Sequence, residues 1–325
     1  MNHEGARILL LGGSGFIGSV LCEQLQRRGV RVTVPTRHRA SARHLWPMPA
    51  VRLVAADIHD SAALARLLPG HDAVVNLVGI LHGSESDFAR THAELPRQLA
   101  AACAQVGVRR VLHVSALGAD AAAPSLYQRS KAAGEAALQE AAARGRIDLT
   151  VLRPSVVFGA GDSFLNLFAR LQRVLPVMPL AGADARMQPV WVRDVADALV
   201  RSLGEGTTIG QTIEACGPDV FTLRQLVRLA GQAAGVRGGR GRPVIGLPHA
   251  LGWLQATVLE HLPGPTLMSR DNLRSLGVDN IASGQLPGLQ ALGITPTPLS
   301  AVVPLYLGTS GPAAALDAMR QRAGR

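Results

Sequence analysis

Tyr127 and Lys131 stand four residues apart in the stretch "SLYQRSKAAGE" (125–135), and both residue types are scarce. Lys131 is the sole lysine among 325 residues, so 32 of the 33 Lys plus Arg are arginine, and Tyr127 is one of two tyrosines. On a helix, residues i and i+4 share a face, which would set phenol and ammonium one turn apart. A phenol titrating near about 10 is a poor acid–base group at neutral pH. A neighbouring ammonium favours the phenolate and is expected to lower that value, the tuning general acid–base catalysis requires. The same ammonium can donate to a ribose hydroxyl. Arginine would carry the charge but lacks the compact, rotatable head, so lysine resists replacement here. The plain alternative is a solvated pair on a helix surface.

A second group of residues suits a phosphate. In "LLLGGSGFIGSVLCEQL", Gly12, Gly15 and Gly18 have GxxGxxG spacing, and Gly13, Gly15 and Gly18 also satisfy GxGxxG. The stretch falls between an apolar run and an amphipathic helix, the setting such a loop needs. There the glycines allow a tight turn, close approach of a pyrophosphate and close helix packing, with the phosphate at the helix N-terminus. Ser14, Phe16 and Ile17 lie in the same turn and are candidate contacts with them. An NAD site wants an acid at the end of the second strand, for the ribose 2′-hydroxyl. The sequence there is "PTRHRASAR", with no carboxylate and with Arg37 and Arg39 in reach. Arginine pairs with a 2′-phosphate, so NADP(H) is favoured over NAD(H). Asp57 and Ile58, closing the third strand, are placed to meet the adenine edge. Asn76, Leu77, Val78 and Gly79, closing the fourth, are expected to line the cofactor trough.

The elements that must position these groups alternate. Strands are read at 6–12, 30–36, 51–57, 72–79, 109–116 and 148–155, with helices near 15–28, 60–68, 88–106 and 125–144. That alternation predicts an α/β protein with a doubly wound parallel sheet. After Pro154 helices shorten and Pro and Gly become denser, which divides the chain into a dinucleotide-binding domain (1–154) and a smaller C-terminal lid (155–325) interwoven with the sheet. "MQPVWVRDVADALV" (187–200) reads as a further sheet strand and its helix, capped by Asp194. Cys22, Cys103 and Cys216 lie far apart without metal spacing, so reduced structural thiols and no metal are expected. The N-terminus runs straight into a strand with no signal-peptide pattern, and no run of about 18 apolar residues occurs, which points to a cytoplasmic protein. Net charge is +10, but the arginines are scattered and aromatics are few. Nucleic-acid binding is disfavoured; an anionic cofactor or membrane face suits the charge better.

"GGSGFIG", "YQRSK" (YxxxK) and "LRPSVVFGAGD" together resemble the short-chain dehydrogenase/reductase superfamily, a Rossmann-type fold, in its extended or atypical branch. More narrowly, "SLYQRSKAAGE", "VFGAGDSFLNLFARL", "MQPVWVRDVADAL" and "LMSRDNLRSLGVDN" resemble the family of the NADPH-binding accessory subunit of respiratory complex I and its stand-alone bacterial relatives. The resemblance covers essentially the whole chain. It implies a tightly held NADPH, contacted by Gly12, Gly15, Gly18, Arg37, Asp57, Tyr127, Lys131 and the segment from Pro154 to Val157. It also implies Tyr127, Lys131 and Ser115 as the catalytic set of an oxidoreductase acting on a carbonyl or quinone-like substrate. The alternative it carries is a catalytically silent, NADPH-stabilised accessory or assembly protein of a respiratory membrane complex, peripheral on the inner membrane. A nucleotide-sugar epimerase or dehydratase ranks third. One position departs from the pattern. Active members carry Ser or Thr two residues beyond the first serine after the fifth strand; here Ser115 is that serine, by position facing the nicotinamide, and the later position is Leu117, which cannot donate a hydrogen bond.

In the C-terminal part, "LPHALGWLQATVLEHLPGP" (247–265) has Leu251, Leu254, Val258 and Leu262 at helical spacing. A lid helix packed on its neighbours is the preferred reading, ahead of a membrane-surface or partner helix. His249 and His261 have no ligand company, and "PAAALDAMRQRAGR" (312–325) reads as a solvated basic helix.

Overall fold

The computed structural model describes residues 4–204, 206–261 and 266–308. The chain forms two compact units, neither continuous in sequence. The larger takes residues up to Pro154 together with Val192–Ala215 and Ser283–Thr295.

Its centre is a parallel sheet of seven strands: β1 (Arg7–Leu11), β2 (Arg31–Thr36), β3 (Val51–Ala55), β4 (Ala73–Asn76), β5 (Arg110–Val114), β6 (Asp148–Pro154) and β7 (Thr212–Ala215). The spatial order is β3-β2-β1-β4-β5-β6-β7, with every neighbouring pair parallel. This is the doubly wound order, and its direction reverses between β1 and β4. The inner strands are apolar because helices cover both faces: Leu9, Leu10, Leu11, Val74 and Val75 are fully buried. Helices α1 (Phe16–Arg27), α2 (Ser61–Leu67), α3 (Leu95–Val106), α4 (Leu126–Ala143) and α5 (Val192–Gly204) complete the unit. Ser125 caps α4 by accepting from Gln128 N–H, which starts the helix just before Tyr127. The core between β1, β4, β5 and α3 gathers Leu9, Leu11, Val74, Leu99, Cys103 and Val111.

Three expectations need correction. The stretch 187–191 contributes no strand to the large sheet. Arg186–Met187 pairs with Phe221–Thr222 and Val190–Trp191 with Val157–Phe158, because Pro189 between them cannot donate to a ladder. The seventh strand is instead "TIEA" (212–215), parallel to β6 and too short and mixed to signal itself. Asp194 lies inside the first turn of α5 rather than before it. The helix expected at 88–106 is interrupted: a short turn, Glu85–Phe88, widens into a π-helical segment, Ala89–Glu94, before α3. Pro96 in the first turn of α3 has no N–H to return to His92 O four residues back, so the ladder must re-register upstream.

The second unit comprises, among the described residues, Ser155–Trp191, Cys216–Ala282 and Pro296 to Gly308. Its core packs Phe158, Leu165, Ala169, Leu226, Val227 and Val303 between the helices Leu165–Val174, Leu223–Ala233 and Leu299–Leu307. The helix His249–His261 keeps Leu251, Leu254 and Val258 exposed, so the apolar spacing expected to pack lies in part on the surface. His249 and His261 close its two ends. Leu262 and the expected helix at 312–325 lie outside the described residues. The three cysteines are free and buried. Among the described residues, no helix is long and apolar enough to cross a membrane.

Candidate functional site

The chain leaves β1 into the glycine loop, where Gly12 adopts φ +79°, a conformation that favours glycine. A Cβ there would also lie 3.1 Å from Leu77 C and 3.2 Å from Val78 N, so the tails of β1 and β4 meet at the reversal point. Gly15 N donates to Gly12 O (3.0 Å), closing the turn. Gly18 lets α1 pack on the loop, since a Cβ would fall 2.5 Å from Gly12 O and 2.6 Å from Gly13 Cα. Gly13 in turn packs against Val34 and Leu10. Helix α1 begins at Phe16 and Ile17 with Gly15 as an N-cap that makes no side-chain bond, and its first turn carries no acid. Ser14 stands half-buried in the turn before it. A backbone cradle with uncapped N–H groups at a helix N-terminus suits an anion.

At the end of β2, Arg37 and Arg39 are exposed, and Thr36 Oγ1 donates to His38 O (3.2 Å). At the end of β3, Asp57 Oδ1 accepts from His59 N–H (3.0 Å), with Ile58 half-buried beside it. Burial and the Arg90 charge, with a contribution from Arg37, hold His59 below its ordinary value. Arg37 and Arg90 therefore both bring positive charge to the tail of β3. Arg90 also reaches Asp57 (4.0 Å), a contact no local signal in the sequence announced.

Below β4, Asn76 is fully buried, accepts from Val78 N–H (3.1 Å) and lies 3.2 Å from His113 Nδ1 through its amide nitrogen. That bond makes His113 Nδ1 the acceptor and leaves the ring proton on Nε2. His113 Nε2 and Ser115 Oγ, two residues apart on one face of β5 and its tail, are buried with no hydrogen-bond partner among the described residues. Leu117 is buried, with its N–H bonded to Pro154 O (2.9 Å), so its side chain adds no donor.

Lys131 is 4% exposed, and its Nζ donates to Val114 O (3.1 Å). A Cβ on Gly79 would come within 3.2 Å of Nζ, so the β4 tail passes directly over the ammonium. Burial lowers the Lys131 ammonium from 10.5 to about 8, against an opposing pull from Glu135. Glu135, also buried, is held by Arg153 at 2.9 and 2.6 Å. Tyr127 reverses the expected direction: burial pushes its phenol up to about 12. Desolvation of the phenolate outweighs the ammonium one turn away.

The glycine loop, the tails of β2 to β6 and the Tyr127–Lys131 helix thus belong to the larger unit, at the carboxyl end of its sheet. Pro154 closes β6 there, whereas Val157 belongs to the second unit, where it pairs with Val190. Sequence reasoning missed His92, Arg90 and His113. His92 was obscured because the π-helical segment that carries it has no periodic signature.

A family model described as the NAD dependent epimerase/dehydratase family matches residues 8–215. The chain belongs to this family. Its members bind a nicotinamide dinucleotide, and the cradle at Gly12–Gly18 together with the orphaned donors at His113 and Ser115 fits such a group. The chain is 28% identical over 306 residues to mouse "NADH dehydrogenase [ubiquinone] 1 alpha subcomplex subunit 9, mitochondrial" (91% of this chain, 78% of that protein). It is 31% identical over 195 residues to the ceramide reductase of Caulobacter vibrioides (59% of each). Among solved structures, the dTDP-glucose 4,6-dehydratase DesIV of Streptomyces venezuelae, with NAD and TYD bound, superposes with a TM-score of 0.73. That alignment has 21% identity and covers 93% of this chain and 95% of DesIV, a likeness of fold.

Proposed function

We propose that this chain holds NADPH in its larger unit and acts as an oxidoreductase on a carbonyl or quinone-like substrate. The observation that carries the reading is the buried Lys131 ammonium, anchored on Val114 O beneath Gly79 and one helical turn from Tyr127. A buried cation is costly and is kept where an anionic or hydroxylic ligand uses it. NADPH is favoured over NADH by Arg37, with Arg90 near, and by the lack of a carboxylate at the end of β2.

In this reading Gly12 to Gly18 hold the pyrophosphate, Asp57 and Ile58 flank the adenine, and Asn76 to Gly79 line the ribose and nicotinamide. When bound, the nicotinamide supplies or accepts the hydride. Lys131 donates to the ribose and stabilises negative charge on Tyr127. With its phenol pushed up to about 12, Tyr127 keeps its proton at neutral pH and serves as the acid that protonates the substrate oxygen, the direction of reduction. Ser115 Oγ donates to the same oxygen.

A second reading is a catalytically silent accessory protein that NADPH stabilises, peripheral on a respiratory membrane complex. It is favoured by Leu117, which leaves the oxygen one donor short, and by similarity to the mouse subunit over 91% of the chain. Denaturing the purified protein and identifying the released nucleotide by mass spectrometry tests the common part. NADP(H) is expected; release of NAD(H) refutes the cofactor choice, and no release together with no NADPH-induced rise in melting temperature refutes binding. Steady NADPH turnover on carbonyls and quinones, lost in Tyr127→Phe, supports catalysis; absence of turnover with a retained cofactor supports the accessory reading.

A further inference from the structure

His92 stands in the π-helical segment, 1% exposed, and makes a directed chain of hydrogen bonds. Ser130 Oγ donates its one proton to Tyr127 O (2.8 Å). Ser130 Oγ must therefore accept from His92 Nδ1, 2.8 Å away, which places the imidazole proton on Nδ1. The free lone pair on Nε2 accepts from Ile80 N–H (3.0 Å). Proton direction is consistent throughout: Ile80 N–H to His92, His92 to Ser130, Ser130 to the backbone of Tyr127. Such aligned bonds reinforce one another. The chain ties the tail of β4 to the first turn of α4.

The ring is also wedged. It lies edge-on to Tyr127 (centroids 5.5 Å, 83°) and 5.6 Å from Phe88. A Cβ on Gly79 would sit 3.5 Å from His92 Nε2 and 3.2 Å from Lys131 Nζ, so the same loop residue touches both. On its other side the His92 carbonyl lies against Gly134, where any Cβ would strike it. Burial and the Lys131 charge hold the imidazole down at about 3, so it stays neutral and the bond directions do not change near neutrality.

We infer that His92 is a positioning residue, which holds the Gly79–Ile80 loop at a set height over Lys131 and Tyr127 and so shapes the subsite for the nicotinamide ribose. The inference rests on the dinucleotide reading above. It assigns His92 no contact with the reacting atoms.

The test compares two probes by isothermal calorimetry: NADPH, which occupies both halves of the site, and 2′,5′-ADP, which occupies the adenine half alone. His92→Phe keeps a ring against Phe88 and Tyr127 but cuts the chain. Ser130→Ala keeps the imidazole and frees its tautomer. Each variant is expected to bind NADPH about tenfold more weakly, one backbone hydrogen bond's worth, with 2′,5′-ADP affinity unchanged. His92→Gln, which offers both an acceptor and a donor, should recover part of the NADPH affinity. Equal weakening of both probes would mean a merely structural role and overturn the inference, as would unchanged NADPH binding in Ser130→Ala. Wild-type protein that binds neither probe would instead overturn the dinucleotide reading, and this inference with it.

Discussion

Replacing Lys131 with methionine should stabilise the nucleotide-free protein at neutral pH while abolishing nucleotide binding. Methionine keeps an unbranched chain of similar reach and removes the buried charge. The fall of the ammonium from 10.5 to about 8 corresponds to about 3 kcal/mol of disfavoured charge at pH 7. Methionine also loses the bond that even a neutral amine makes to Val114 O, about 1 kcal/mol, so the variant should be more stable by about 2 kcal/mol at pH 7. The pH dependence is the sharper signature. Because the folded value lies below the unfolded one, the unfolded chain binds more protons between about 8 and 10.5, and this group makes wild-type stability rise with pH across that window. The cost is full below about 8 and gone above 10.5, so the variant's advantage should shrink by about 3 kcal/mol and change sign. Buried Cys22 and Cys103, pushed up to about 12, act in the opposite sense, but both proteins contain them and the difference cancels them. No second lysine titrates in that range. Urea unfolding followed by circular dichroism, at steps from pH 7 to 10.5 without nucleotide, measures the difference. A difference that stays constant across the window would refute the reasoning.

Two further changes probe other parts of the site. Arg37→Glu should weaken NADPH about tenfold or more while leaving NADH affinity little changed, as read by thermal shift with each nucleotide; parallel loss of both would show that Arg37 does not read the 2′-phosphate. Glu135→Gln leaves Arg153 without its carboxylate partner, and loss of this largely buried pair should cost about 3 kcal/mol, roughly 4 °C in melting temperature. A melting temperature within a degree of wild type would contradict that assignment.

What could be read along the chain was what depends on near neighbours. A buried parallel strand announces itself as "ILLL", the glycine loop by its spacing, and Tyr127 and Lys131 by a helical turn and by scarcity. Each of these is a local rule of backbone geometry, so the doubly wound sheet and the glycine cradle followed from it. The seventh strand did not: "TIEA" is four residues long, and pairing with β6, with a bridge from Glu214 to Gly288, makes it a strand. His92 did not either, since its hydrogen bonds reach residues 12 and 38 positions away.

The Tyr127 phenol shows where the boundary falls. Sequence alone determined that a lysine lies one turn away, and Coulomb attraction then argues for a lowered value. Tertiary packing decided the opposite, because Phe88 and His92 close over the ring and the cost of desolvating a phenolate grows with burial. The same packing decided that Lys131 points at Val114 O and carries the Gly79 loop above it. Spacing along a helix is set by bonds within the chain; dielectric surroundings and hydrogen-bond partners are set by segments that meet only when the sheet has formed.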